Sequence, residues 1–72
     1  MGHNVQNLRH EKGWSQEDLA FESGLHRTYV SGIERGIRNP TIIIVETLAK
    51  ALGVQPNTLL VAPPKAGGRR SR

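Results

Sequence analysis

Apolar residues recur at helical spacing along most of this chain. Val5 and Leu8 stand three apart, Leu19 and Ala20 follow, and Val30 and Ile33 are again three apart. Ile42, Val45, Leu48, Ala49 and Leu52 then form the longest stripe. Spacing of three and four residues marks the buried side of a helix, and no stretch alternates with the period of a strand. The pattern predicts an all-α chain of five short helices. The first covers about residues 4–12. The second follows Ser15, the third covers about 27–35, and the fourth runs from Thr41 to Leu52. The fifth is short, with Pro56 in its first turn and Leu59 and Leu60 behind it.

The punctuation between these stripes agrees with them. Gly13, Gly24, Gly36 and Gly53 stand where helices should stop, and Pro40 forbids continuation of the third. Ser15 is a good N-cap, and Asp18 stands three residues later where a capping box wants an acceptor. Trp14 and Leu19 then occupy the two positions of a hydrophobic staple. Thr41 caps the fourth helix. His26 occupies the N-cap of the third, where neutral imidazole can accept an amide hydrogen bond and imidazolium cannot. A pH-sensitive cap and an exposed turn histidine are both open there.

Seventy-two residues make one small domain, with a core that would gain from packing against a second copy. There is no cysteine, which excludes disulfides and thiolate chemistry. His3, His10 and His26 lack the spacing of a metal site, so no metal and no cofactor are expected. No apolar run approaches a membrane span, and no signal peptide is apparent, so the expected location is the cytoplasm. The net charge of +4 is misleading about the folded part. Residues 1–61 hold six basic and six acidic side chains, while the last stretch holds Lys65, Arg69, Arg70 and Arg72 and no acid. The expected division is a domain over 1–62 and a disordered basic tail over 63–72. Within the domain, Arg27, Arg35 and Arg38 stand against Glu34 alone between residues 24 and 40. A neutral domain with one basic face fits a docking surface for nucleic acid.

Residues 15–36, SQEDLAFESGLHRTYVSGIERG, outline two short helices joined by a glycine turn. The second is polar and basic on the side opposite Val30 and Ile33, where Arg27, Thr28 and Ser31 fall, with Arg35 a turn further on. That outline suits a helix-turn-helix over about 16–35, which lays its second helix in the DNA major groove. Arginine matches the O6 and N7 acceptors of guanine, and threonine or serine can offer a hydroxyl or contact a thymine methyl. Arg27 is thus either a base reader or a surface cation. Gly32 offers no side chain to a groove; either the helix approaches DNA closely there or the glycine is merely tolerated. Tyr29 either reaches phosphate with its hydroxyl or packs its ring in the core.

The ordered set LR at 8–9, SQEDLA at 15–20, glycine at 24, VSGIERG at 30–36, NPT at 39–41 and LAKALGV at 48–54 resembles the Cro/C1-type (XRE) helix-turn-helix regulators. The resemblance spans roughly residues 4–61 and implies a compact five-helix, lambda-repressor-like DNA-binding domain. The stretch HRTYVSGIERGIRN at 26–39 is also similar to the controller proteins of restriction–modification systems, although lone regulators share much of the phrase. The resemblance implies that Arg27, Thr28 and Ser31 contact bases. It implies that Gln16, Ser15, Tyr29, Arg35, Arg38 and Asn39 lie along the phosphates, with Arg38 and Asn39 also able to meet minor-groove edges. Glu34 would repel phosphate, and the resemblance resolves this by pointing it inward to pair with Arg9.

A helix cannot bury all of Ile42, Ile43, Ile44 and Val45 against its own small domain. One or two should be exposed, and the expected homodimer contact is built from Ile43, Ile44, Leu59 and Val61. Phe21 is a weaker candidate for a second contact. A symmetric dimer would read a palindromic operator in double-stranded DNA with two recognition helices. The competing reading is an antitoxin or adaptor that uses the same fold to hold a protein partner. No phosphate-binding glycine loop or paired acid/base constellation suggests an enzyme.

Overall fold

Side-chain caps and left-handed glycines set most of the helix boundaries in the computed structural model, which describes residues 1–60. The helices are α1 (Gly2–Glu11), α2 (Gln16–Ser23), α3 (Arg27–Glu34), α4 (Ile42–Leu52) and α5 (Pro56–Leu60). At the start of α2 the Ser15 hydroxyl accepts from the Asp18 amide at 3.0 Å, and the Asp18 carboxylate accepts from the Ser15 amide at 2.9 Å. This reciprocal box satisfies two amides that a helix start would otherwise leave unpaired. Thr41 caps α4 by accepting from the Ile44 amide at 3.3 Å. His26 stands at the N-cap of α3, but its side chain makes no cap hydrogen bond. The residue is exposed, so water is free to serve its ring nitrogens. The pH-sensitive cap is therefore corrected.

The turn between α2 and α3 depends on Gly24, whose φ of 75° is left-handed. The Leu25 amide reaches back to the Ala20 carbonyl at 3.0 Å, closing the helix end in a Schellman arrangement. Leu25 then packs on the core, so the chain re-enters immediately as α3.

Every helix sends at least one side chain to a single core. Val5, Leu19, Val30, Leu48 and Leu59 are fully buried, and Ile33, Val45, Ala49 and Leu52 nearly so. Burying each of the large aliphatic groups contributes about 1.5–3 kcal/mol. Trp14, Tyr29 and Ile44 pack partly buried around this cluster, with Lys12 Nζ 5.0 Å from the centre of the Trp14 ring. α2 packs on both α3 and α4, and α1 touches α3, α4 and α5.

Three features of the packing differ from the sequence expectation. α1 begins at Gly2 rather than near residue 4, because its first turn rests on the end of α3. A methyl group on Gly2 would run into the carbonyl oxygen of Ile33 and stand 2.8 Å from that of Glu34. Ile42 is 69% exposed, whereas Ile44 turns partly inward, so only the first position of the expected α4 stripe differs, and Val45, Leu48, Ala49 and Leu52 are buried as expected. Leu59 is fully buried and Leu60 is the exposed leucine of α5. The Asn4 side-chain amide donates to the Leu59 carbonyl at 3.0 Å, which fixes the rotation of α5 on α1. The expectations for Val61 and for the basic tail concern residues outside those described. No described helix is long and apolar enough to cross a membrane.

Candidate nucleic-acid interface

The outward side of α3 carries Arg27 and Thr28, both exposed, with Ser31 half-buried one turn further on. Arg35 follows at the C-cap, and Arg38 and Asn39 lie exposed in the loop beyond it. Val30 and Ile33 anchor the opposite side in the core. The face is therefore held by packing and not by its own polar contacts. Arg27 Nε stands 3.9 Å from the Glu17 carboxylate, with both side chains well exposed. A pair that long and that wet restrains the arginine little. Glu17 escaped the sequence reading because nothing local links two residues ten apart on different helices.

Behind this face lies a buried polar junction. Arg9 Nε and Nη2 donate to the two Glu34 carboxylate oxygens at 2.7 and 3.0 Å, a parallel double hydrogen bond. Arg9 Nη1 donates to the Trp14 carbonyl at 2.8 Å. Only 8% of the Arg9 side chain and 2% of that of Glu34 reach solvent. The hydrogen bond to Glu34 raises the Arg9 pKa above its ordinary value, against the opposing effect of burial. Glu34 Oε1 also accepts from Gln16 Nε2 at 3.1 Å. Gln16 is thus tied to the end of α3, a link that local sequence spacing does not reveal.

These bonds bring α2 and α3 into one fixed unit. Ser15, Gln16, Glu17 and Arg27 line an open hollow with Arg9 at its back. The first amides of α2 lie at this rim, where a helix start favours an anion. Ser15 spends its own amide on the capping box and accepts there through its hydroxyl, so the donor it has left for an anion is the hydroxyl proton.

A second hollow is lined by Thr28, Gly32, Arg35, Ile37 and Arg38. Tyr29 is half-buried against the core, in keeping with the ring-packing alternative, and the Arg38 guanidinium lies 5.2 Å from its ring centre. Gly32 is buried rather than open to a groove.

The residues expected at a dimer contact are divided by the fold. Ile43 is 72% exposed, Ile44 packs partly against the core, and Leu59 is wholly inside it. Leu59 is thereby removed from the proposed contact, since a side chain already buried in its own core offers no area to a second copy. Ile42 and Leu60 take its place among the exposed apolar groups. Phe21 is 83% exposed, alone on the outer side of α2. No cluster of three metal-ligating side chains occurs among the described residues.

Residues 5–59 match the HTH_3 helix-turn-helix family. The chain belongs to this family. It is 55% identical over 60 residues to the control protein C.BamHI of Bacillus amyloliquefaciens, covering 82% of this chain and 74% of that one. A structure of SinR, the master regulator for biofilm formation, in complex with DNA is 38% identical and superposes with a TM-score of 0.79. That match covers 83% of this chain and 97% of the other. The restriction–modification controller protein C.Esp1396I, as a tetramer with its natural 35-base-pair operator, is 46% identical with a TM-score of 0.74. It covers 82% of this chain and 78% of that one. The similarity thus extends over α1 to α5 and includes the helix-turn-helix at α2 and α3.

Proposed function

We propose that this helix-turn-helix protein is a sequence-specific, homodimeric transcription regulator that binds a palindromic operator. The observation that carries the reading is the outward face of α3, with Arg27 and Thr28 exposed above a core that fixes the helix. Relatives of the same fold are controller and regulator proteins, two of them in complex with DNA or an operator. Arg27, Thr28 and Ser31 are assigned to base edges. Gln16, Ser15, Arg35, Arg38 and Asn39 are assigned to the flanking backbone, where they set register without reading sequence. Arg9 and Glu34 serve the unit structurally, and no residue is assigned a catalytic role.

Exposed Ile42 and Ile43 on α4, with Leu60 on α5, support a symmetric contact between two copies. Such a dimer sets two recognition helices about one helical turn of DNA apart. The same apolar surface would suit a protein partner if the chain were an antitoxin or adaptor. Selection from randomised duplex DNA at physiological salt separates the readings. An enriched palindrome supports the regulator, and an unenriched pool supports the protein-binding role.

A further inference from the structure

Gly32 lies in the middle of α3, where glycine weakens a helix relative to alanine. Its carbonyl accepts from the amides of both Ile37 and Arg38, at 2.9 and 3.2 Å. Gly36 makes this return tight, since its φ of 77° is left-handed. The chain after α3 is thereby folded back along the helix, and the Arg38 side chain is laid across Gly32. A Cβ at position 32 would stand 2.9 Å from Arg38 Cγ, 3.2 Å from Cδ and 3.3 Å from Nε. The first of these is closer than real Cβ contacts allow, and Cγ lies too near the backbone to yield without rotating the whole side chain. Beyond the glycine, the guanidinium reaches the Tyr29 ring and borders the hollow shared with Thr28 and Arg35.

We propose that Gly32 is a positioning residue: its missing side chain is the seat that holds Arg38 against α3, with the guanidinium presented beside Arg35 to a DNA phosphate. The proposal rests on the DNA-binding reading and adds the residue that prepares this contact before DNA arrives. The two arginines bordering one hollow form a cationic, hydrogen-bonding surface suited to a backbone anion. Holding the long side chain in place beforehand removes part of the ordering cost of binding. The helix-weakening glycine then has a role in recognition that alanine could not fill.

The first test needs no DNA. In the free protein the Tyr29 ring current should shift the Arg38 δ protons upfield, and Gly32→Ala should return them to their unperturbed position. Unchanged δ-proton shifts in the variant would overturn the proposal. On a duplex that the wild-type protein binds, Gly32→Ala and Arg38→Ala should each weaken binding about tenfold, evenly across sequences. The double variant should bind no worse than Arg38→Ala, because the two changes act through one side chain. A further several-fold loss in the double variant would mean that the methyl group meets DNA directly, and the proposal would fail. Should Gly32→Ala not fold, Arg38→Ala removes the crowding atoms, so the double variant should fold; its failure to do so would also overturn the proposal. If the wild-type protein binds no duplex, the DNA-binding reading falls, while the proton shifts still decide whether Gly32 seats Arg38.

Discussion

Arg9 holds both carboxylate oxygens of Glu34 in parallel hydrogen bonds, and nearly all of the two side chains is withdrawn from solvent. A buried charge left without its partner is costly, so Glu34→Ala should lower unfolding free energy by about 3–5 kcal/mol. Replacing both residues with apolar side chains should cost less than that single change. Urea denaturation measures both. Loss of DNA affinity in Glu34→Ala with unchanged stability would contradict the structural role. The raised Arg9 pKa also fixes the pH dependence. A folded-state pKa above the unfolded value gives stability that is complete below the unfolded pKa and is lost only as pH rises through the folded one. This pair should therefore hold unchanged as far as Arg9 is concerned until strongly alkaline pH.

Gln16 donates to the same carboxylate. Gln16→Ala should remove about 1.5–3 kcal/mol of stability, the usual net value of a hydrogen bond to a charged group. If its second role is at a phosphate, affinity should fall evenly across DNA sequences. A loss confined to one base pair would move Gln16 among the base readers.

The caps at Ser15 and Thr41 and the stops at Gly24 and Gly53 were legible because each depends on a few neighbouring residues. The apolar stripe from Val45 to Leu52 was legible for a similar reason, since its spacing repeats. What escaped depends on how helices turn toward one another. A row of branched residues at 42–45 is apolar all round, and only packing against α2 and α5 decides that Val45 goes inward and Ile42 outward. Two adjacent leucines on a five-residue helix are equally ambiguous until Asn4 fixes α5. In the candidate site, the basic face of α3 could be read from periodicity. The seating of Arg38 on Gly32 and the Gln16–Glu34 bond could not, because each joins parts of the chain brought together only by the fold.

Leucines 59 and 60 give a direct check on that packing. Leu59→Ala should cost about 2–5 kcal/mol, as truncation of a core leucine does. Leu60→Ala should leave monomer stability within about 0.5 kcal/mol. Denaturation midpoints at protein concentrations low enough to suppress association would expose a reversal of the two.

Ile43 is largely outside the core, so a charge there leaves the fold intact. Ile43→Asp should convert a dimer to a monomer in sedimentation velocity without altering far-ultraviolet circular dichroism. An unchanged sedimentation coefficient would place the contact elsewhere, with Phe21 the next position to substitute.

Base reading by α3 depends most directly on Arg27. Affinities of wild type and Arg27→Ala should be measured on the selected operator and on a set of single-base-pair substitutions. Wild type should discriminate sharply at one base pair in each half-site. The variant should lose about 1–3 kcal/mol on the operator and lose its preference at that position alone. An equal loss on every duplex, random DNA included, would make Arg27 a backbone contact and contradict base reading by α3.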